Sequence, residues 1–224
     1  MQVNMDLSAR SLDLLQRRGV SGEQIEDFTS LLSDAQQALK DGASAREVLN
    51  AMSKDELSLL QKTSSLAEPI NVSEISDEGA TNLLAHPDRT GMVDLNNDGI
   101  VEVGKAQTIS FPPVNAPQHV KDAWEEATVN MTEGEEMMLQ LSMHIQTYGI
   151  NIEGAASKPA LSPEQQWSTE GWQKLMKEAR SALEFSVGMD GWTRMNVVKN
   201  DFYNRFEQAL SAASIDTGGD KQVA

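Results

Sequence analysis

The chain has 224 residues, 18 of them lysine or arginine and 34 aspartate or glutamate, giving a net charge of −16. That length can bury a sizeable core without staples, and the absence of cysteine excludes disulfides, thiolate metal sites and thiol nucleophiles. The acidic excess repels phosphate backbones and anionic membrane surfaces, so nucleic acid is not an expected partner.

Residues Met1 to Asp6 hold neither a basic n-region nor an apolar run, and no stretch approaches the length of a membrane span. The expectation is a soluble chain without membrane insertion, cytoplasmic or exported without a leader. The first seventy residues then read as short amphipathic helices. Leu7, Leu12, Leu14 and Leu15 predict a first helix that closes at Arg17-Arg18-Gly19, where cations and a C′ glycine suit the negative helix end. Ser21 with Gln24 makes a capping box for a second, carrying Ile25, Phe28, Leu31, Leu32, Ala35 and Leu39 before Asp41-Gly42. Ser44 with Glu47 and Ser53 with Glu56 open two more, with Val48, Leu49, Met52, Leu57, Leu59 and Leu60 expected in a core. Closely spaced helices also suit DNA recognition, but no basic face accompanies them.

Between Glu68 and Gly104 the character changes to eight acids against the single base Arg89. A short helix is expected from Ser73 through Leu84, ended by His86-Pro87. His86 has no second histidine or cysteine at ligand spacing and reads as a surface residue. The run from Asp94 to Glu102 carries the most specific pattern in the chain. Oxygen-bearing side chains recur at Asp94, Asn96 and Asp98, Gly99 follows where a Cβ would obstruct a sharp turn, the Ile100 carbonyl adds an oxygen and Glu102 a further carboxylate. A hard cation such as Ca2+ needs six to eight such oxygens. Asn97-Asp98-Gly99 alone would also serve as a tight turn.

This run resembles the D-x-[DN]-x-[DN]-G start of EF-hand and dockerin-type loops. The twelfth position, a bidentate glutamate in EF-hands, is Lys105 here, so the likeness is closer to the nine-residue cages of integrin-type propeller blades, with Glu102 ninth. The resemblance covers about a dozen residues and implies one calcium ion held by Asp94, Asn96, Asp98, Ile100 and Glu102. Proline at 112 and 113 prevents a long exiting helix, so the loop is expected on short extended arms.

Phe111 to Pro117 reads as a rigid connector with Phe111 and Val114 to bury, and extended proline segments also serve as docking peptides. Pro117 suits the first turn of a helix with Val120, Trp124, Ala127 and Met131 inward. Thr132 with Glu135 restarts the chain as a helix from Glu133 to Tyr148, ended by Gly149, with Met137, Met138, Leu141, Ile145 and Tyr148 as its stripe. Such a methionine-rich stripe either fills a core or forms an adaptable partner surface. Residues 150–160 read as a linker and candidate domain boundary. Ser162-Pro163-Glu164-Gln165 starts a helix burying Trp167, Trp172, Leu175, Met176, Ala179, Leu183 and Val187. After a turn at Gly188-Met189-Asp190-Gly191, Asp190 caps a last helix with Trp192, Met195, Val198, Phe202, Phe206 and Leu210 inward. The pair predicts an antiparallel hairpin, and the polar stretch from Ser214 a disordered tail.

The fold expected is therefore mainly α, a multi-helix bundle-like arrangement of about six to nine helices with one calcium loop. Its regions are a helical 1–70, an acidic loop and proline connector 71–116, a helical 117–213 with the hairpin 163–210, and the tail 214–224. No P-loop, dinucleotide fingerprint or H-E-x-x-H motif occurs, and the acid pairs Glu125-Glu126 and Glu135-Glu136 point in different directions on a helix. The function expected is a non-enzymatic, calcium-stabilised protein that binds another protein. An adaptor or secreted component of a bacterial surface or secretion apparatus, and a hydrolase with acidic catalytic groups, are the alternatives.

Overall fold

Serine and threonine caps decide where the helices begin. In a computed structural model describing residues 7–149 and 161–218, Ser8 accepts the Ser11 amide and opens α1 (Ala9–Arg17). Complete capping boxes at Ser21, Ser44 and Ser53 open α2 (Gly22–Lys40), α3 (Ala45–Ala51) and α4 (Lys54–Thr63) at the positions expected. Each box satisfies two amide donors that the first helical turn leaves unpaired.

The single helix expected from Ser73 to Leu84 is instead a 3-10 turn (Val72–Glu74) followed by α5 (Asp77–Leu83). Ile75 is extended between them and buries its side chain, and Ser76 then accepts the Gly79 amide as a new cap. Two short strands, β1 (Ile100–Val103) and β2 (Ala106–Ile109), pair as a two-stranded sheet joined at Gly104-Lys105. They are the extended arm expected on the exit side of the 94–102 run; the entry side is irregular.

The remaining helices are α6 (Gln118–Thr128), α7 (Glu133–Tyr148), α8 (Pro163–Gln166), α9 (Thr169–Asp190) and α10 (Arg194–Gly218). The described residues thus hold ten α-helices and one small sheet, a mainly helical protein, with more breaks than the six to nine helices expected. None of these helices is long and apolar enough to cross a membrane. The chain divides into two compact units, residues 1–95 with 100–108, and residues 96–99 with 109–224. The linker expected at 150–160 lies outside the described residues; α10 runs through Ser214 to Gly218, and the rest of the tail lies outside them.

In the first unit the core gathers Leu15, Phe28, Leu32, Leu49, Leu60, Ala80 and Leu83, with Met52, Leu57 and Leu59 packed at its edge. In the second, Phe111, Trp124, Phe202 and Phe206 form an aromatic centre. Trp124 meets Phe111 and Phe202 edge-on at 5.1 Å each, and Phe202 stacks on Phe206 at 5.2 Å, the geometries that ring quadrupoles favour.

Four expectations in this unit need correction. The helix expected to run unbroken from Pro163 stops at Trp167, because Ser168 turns to accept the Gly171 amide and caps α9. Trp192 is 62% exposed rather than inward. Gly188, Met189 and Asp190 belong to α9, Gly191 ends it at φ +74°, and Thr193 rather than Asp190 receives the Asn196 amide that opens α10. Trp192 therefore lies in the turn, where helical spacing does not apply. The stripe on α7 is also displaced: Leu139 and Met143 are buried, while Met137, Met138 and Leu141 are exposed. Apolar residues occur all round α7, so its periodicity admits more than one inner face.

Candidate metal centre

Helix α5 presents three buried polar or small positions, Glu78, Gly79 and Asn82, toward the 94–102 run and its exit strand. Residues four apart on a helix share a face, so Glu78 and Asn82 act together. Glu78, only 5% exposed, accepts the Leu95 amide on Oε2 and the Glu102 amide on Oε1, both at 2.8 Å. Asn82 accepts the Val93 amide and donates to the carbonyls of Val93 and Glu102, each at 2.8 Å. Between them the Gly79 carbonyl takes the Gly104 amide at 3.0 Å. A Cβ on Gly79 would fall 2.2 Å from the Gly104 carbonyl oxygen, so only glycine permits this approach. The two ends of the run are thus fixed by side chains from a helix well before it in sequence.

Within the run, Asp94 is buried at 3% exposure. The Asp98 amide donates to Asn96 Oδ1 at 3.1 Å and Asn96 Nδ2 donates to Asp98 Oδ2 at 3.0 Å, which brings these two expected ligands together. Asn97 takes a left-handed φ of +55°, a conformation asparagine tolerates. Ile100 opens β1. The Glu102 carboxylate receives the Ser76 hydroxyl and, at 2.9 Å, the Gln107 side-chain amide. Among the described residues no three carboxylates or imidazoles are gathered around one point. The donor types of Asp94, Asn96, Asp98, the Ile100 carbonyl and Glu102 suit calcium.

Residues 96–99 pack with the end of α7. Gly99 has φ +77°, and a Cβ there would lie 2.2 Å from Tyr148 Cε2. The His144 ring lies against Tyr148 at a 40° tilt, with centroids 5.1 Å apart, and its Nδ1 is buried with no hydrogen-bond partner among the described residues. Burial pushes the His144 imidazole below its ordinary value, against an opposing pull from the Asp98 charge. Gly99→Ala should destabilise the protein by about 2–4 kcal/mol, from left-handed backbone strain and overpacking against the ring. Urea denaturation measures this, and a wild-type midpoint would show that Tyr148 yields freely.

Glu78 and Asn82 are the site residues that sequence reasoning missed. The available signal was a polar pair at i and i+4 flanked by Ala80, Leu83 and Leu84, which marks a buried face rather than a solvated acidic run. No protein family matches the chain. Nor does any curated protein or solved structure resemble it significantly.

Proposed function

We propose that this is a non-enzymatic calcium-binding protein in which one ion, held by Asp94, Asn96, Asp98 and the Ile100 carbonyl with Glu102 as the further carboxylate, stabilises the fold rather than switching it. The reading is carried by the fixing of both ends of the run by Glu78 and Asn82. A loop whose ends are already ordered loses little further entropy when an ion binds, which favours a structural site. The run supplies most of the six to eight oxygens that calcium takes, which leaves little room for an open catalytic position.

With Lys105 in place of a twelfth-position carboxylate, a dissociation constant on the order of micromolar to sub-millimolar is expected. Calcium at a hundredfold excess over that constant should stabilise the native state by roughly 2.7 kcal/mol. Scanning calorimetry on chelator-stripped protein should show the melting temperature rising with calcium, rising less with magnesium, and not responding in Asp98→Ala. Glu102→Gln reports separately on whether that side chain leaves Ser76 and Gln107 to join the ion: weaker calcium binding supports the five-ligand set, and unchanged binding removes Glu102 from it. Neither a heat of binding nor a melting shift at millimolar calcium would reduce the run to a turn.

The protein-binding half of the proposal draws on the exposed side chains of Met137, Met138 and Leu141 on α7. Methionine is unbranched and polarisable and adapts its shape to a partner, and its place outside the core is what an interaction surface requires. Purified protein carrying Met137→Glu and Met138→Glu should keep wild-type stability and lose partner capture; retention of every partner would withdraw this half.

A further inference from the structure

The first unit contains a cavity of about 200 Å3 lined by Arg18, Ser64, Ser65, His86 and Arg89 together with apolar side chains that include Phe28, Met92 and Val103. No aspartate or glutamate lines it, in a chain where acids outnumber bases 34 to 18. This is the reverse of the protein's general surface, and two of its cations, half-buried Arg18 and exposed Arg89, line one half-open pocket.

Each arginine has an incomplete structural explanation. Arg18 ends α1 and gives one guanidinium N–H to the carbonyl of Thr63, the last residue of α4, where helix carbonyls lack partners. That uses one of five donors. Arg89 adopts a left-handed φ of +73° in the turn after α5, and its neighbour Asp88 spends its oxygens on the Ser8 hydroxyl and the Thr90 amide. Among the described residues Arg18 and Arg89, like Arg10 and Arg205, form no ion pair, whereas Arg17, Arg46, Arg180 and Arg194 do; of the four without one, only Arg18 and Arg89 line this pocket. Burial, and then the nearby Arg89 charge, push the Arg18 guanidinium below its usual range. Like charges drawn together in a partly desolvated site repel unless an anion joins them.

We propose that this cavity is a binding site for a small dianionic oxyanion of the phosphate class, clamped between Arg18 and Arg89, with Ser64, Ser65 and His86 as further polar contacts. Two guanidiniums offer paired N–H donors to the tetrahedral oxygens. Phe28, Met92 and Val103 form an apolar wall that accommodates the organic part of a monoester, so a phosphate ester is the better fit than the inorganic ion.

The test is calorimetric titration of the full chain in calcium-free buffer at constant ionic strength with inorganic phosphate, phenyl phosphate and succinate. Phenyl phosphate should bind most tightly, phosphate more weakly, and succinate least. Arg89→Asn, which retains the left-handed turn and removes only an exposed guanidinium, should weaken both phosphate ligands by about tenfold or more, and Arg18→Gln likewise. Arg17→Gln, on the outer face of α1 and paired with Asp13, should leave them unchanged. Absence of binding at millimolar ligand, equal affinities in Arg89→Asn and Arg17→Gln, or succinate binding as tightly as phosphate would each overturn the assignment. Because calcium is absent from the assay, the outcome is independent of the loop proposal.

Discussion

Phe202→Ala should cost about 3–5 kcal/mol of stability, while Trp192→Ala should change it by less than about 0.5 kcal/mol. The two aromatic residues are ten positions apart on either side of the start of α10, yet Phe202 is fully buried and Trp192 is 62% exposed. Phe202 touches Trp124, Tyr203 and Phe206 through edge and stacked contacts, so truncation removes transfer energy and leaves a cavity that rigid neighbouring rings cannot close. Trp192 sits at the tip of the α9–α10 turn, where Asn196 holds the backbone by donating to the Gly191 carbonyl at 2.7 Å and accepting the Ser186 hydroxyl at 3.0 Å. Urea denaturation midpoints at constant m-value decide between the two environments. Equal losses in both variants would mean that the turn is packed against something the fold does not show.

Glu78→Ala is the second large expectation, a loss of about 3–5 kcal/mol. A buried carboxylate is expensive on its own, and here two charge-assisted amide bonds at 2.8 Å compensate it. Deleting the side chain leaves the amides of Leu95 and Glu102 without an acceptor, the costlier side of that exchange. Glu78→Gln should fall between wild type and alanine, because its one remaining oxygen can serve only one of the two donors. The measurement is again urea denaturation, and an alanine variant within 1 kcal/mol of wild type, the ordinary scale of a single net hydrogen bond, would show that water replaces the carboxylate at no cost.

How far the sequence carried the reading differs by level. The boxes at Ser21, Ser44, Ser53, Thr132 and Ser162 are local chemistry, and all five form as read. Faces depend on neighbours distant in the chain, and there the reading failed: α7 has apolar residues at enough angles that only packing selects Leu139 and Met143 over Met137 and Leu141. The spacing of Asp94, Asn96 and Asp98 was visible from oxygen-bearing residue types alone. What holds that run in place was not, because Glu78 lies sixteen residues before Asp94 and an acidic residue in an acidic stretch ordinarily reads as solvated. At Ser168 and Thr193 the ambiguity is local instead, since Ser162 and Asp190 offer a cap a few residues before each.

The hold of α5 on its partner segment has a consequence for how amide protons meet solvent. Val93 and Leu95 lie outside any regular element, and amides in such positions ordinarily exchange with deuterium almost freely. Here both donate to side chains anchored on a buried helix face, so they are released only when α5 itself lifts away. Their protons should therefore persist for as long as that of Glu102 within β1, and all three should vanish together, as one cooperative opening rather than as the fraying of a loop.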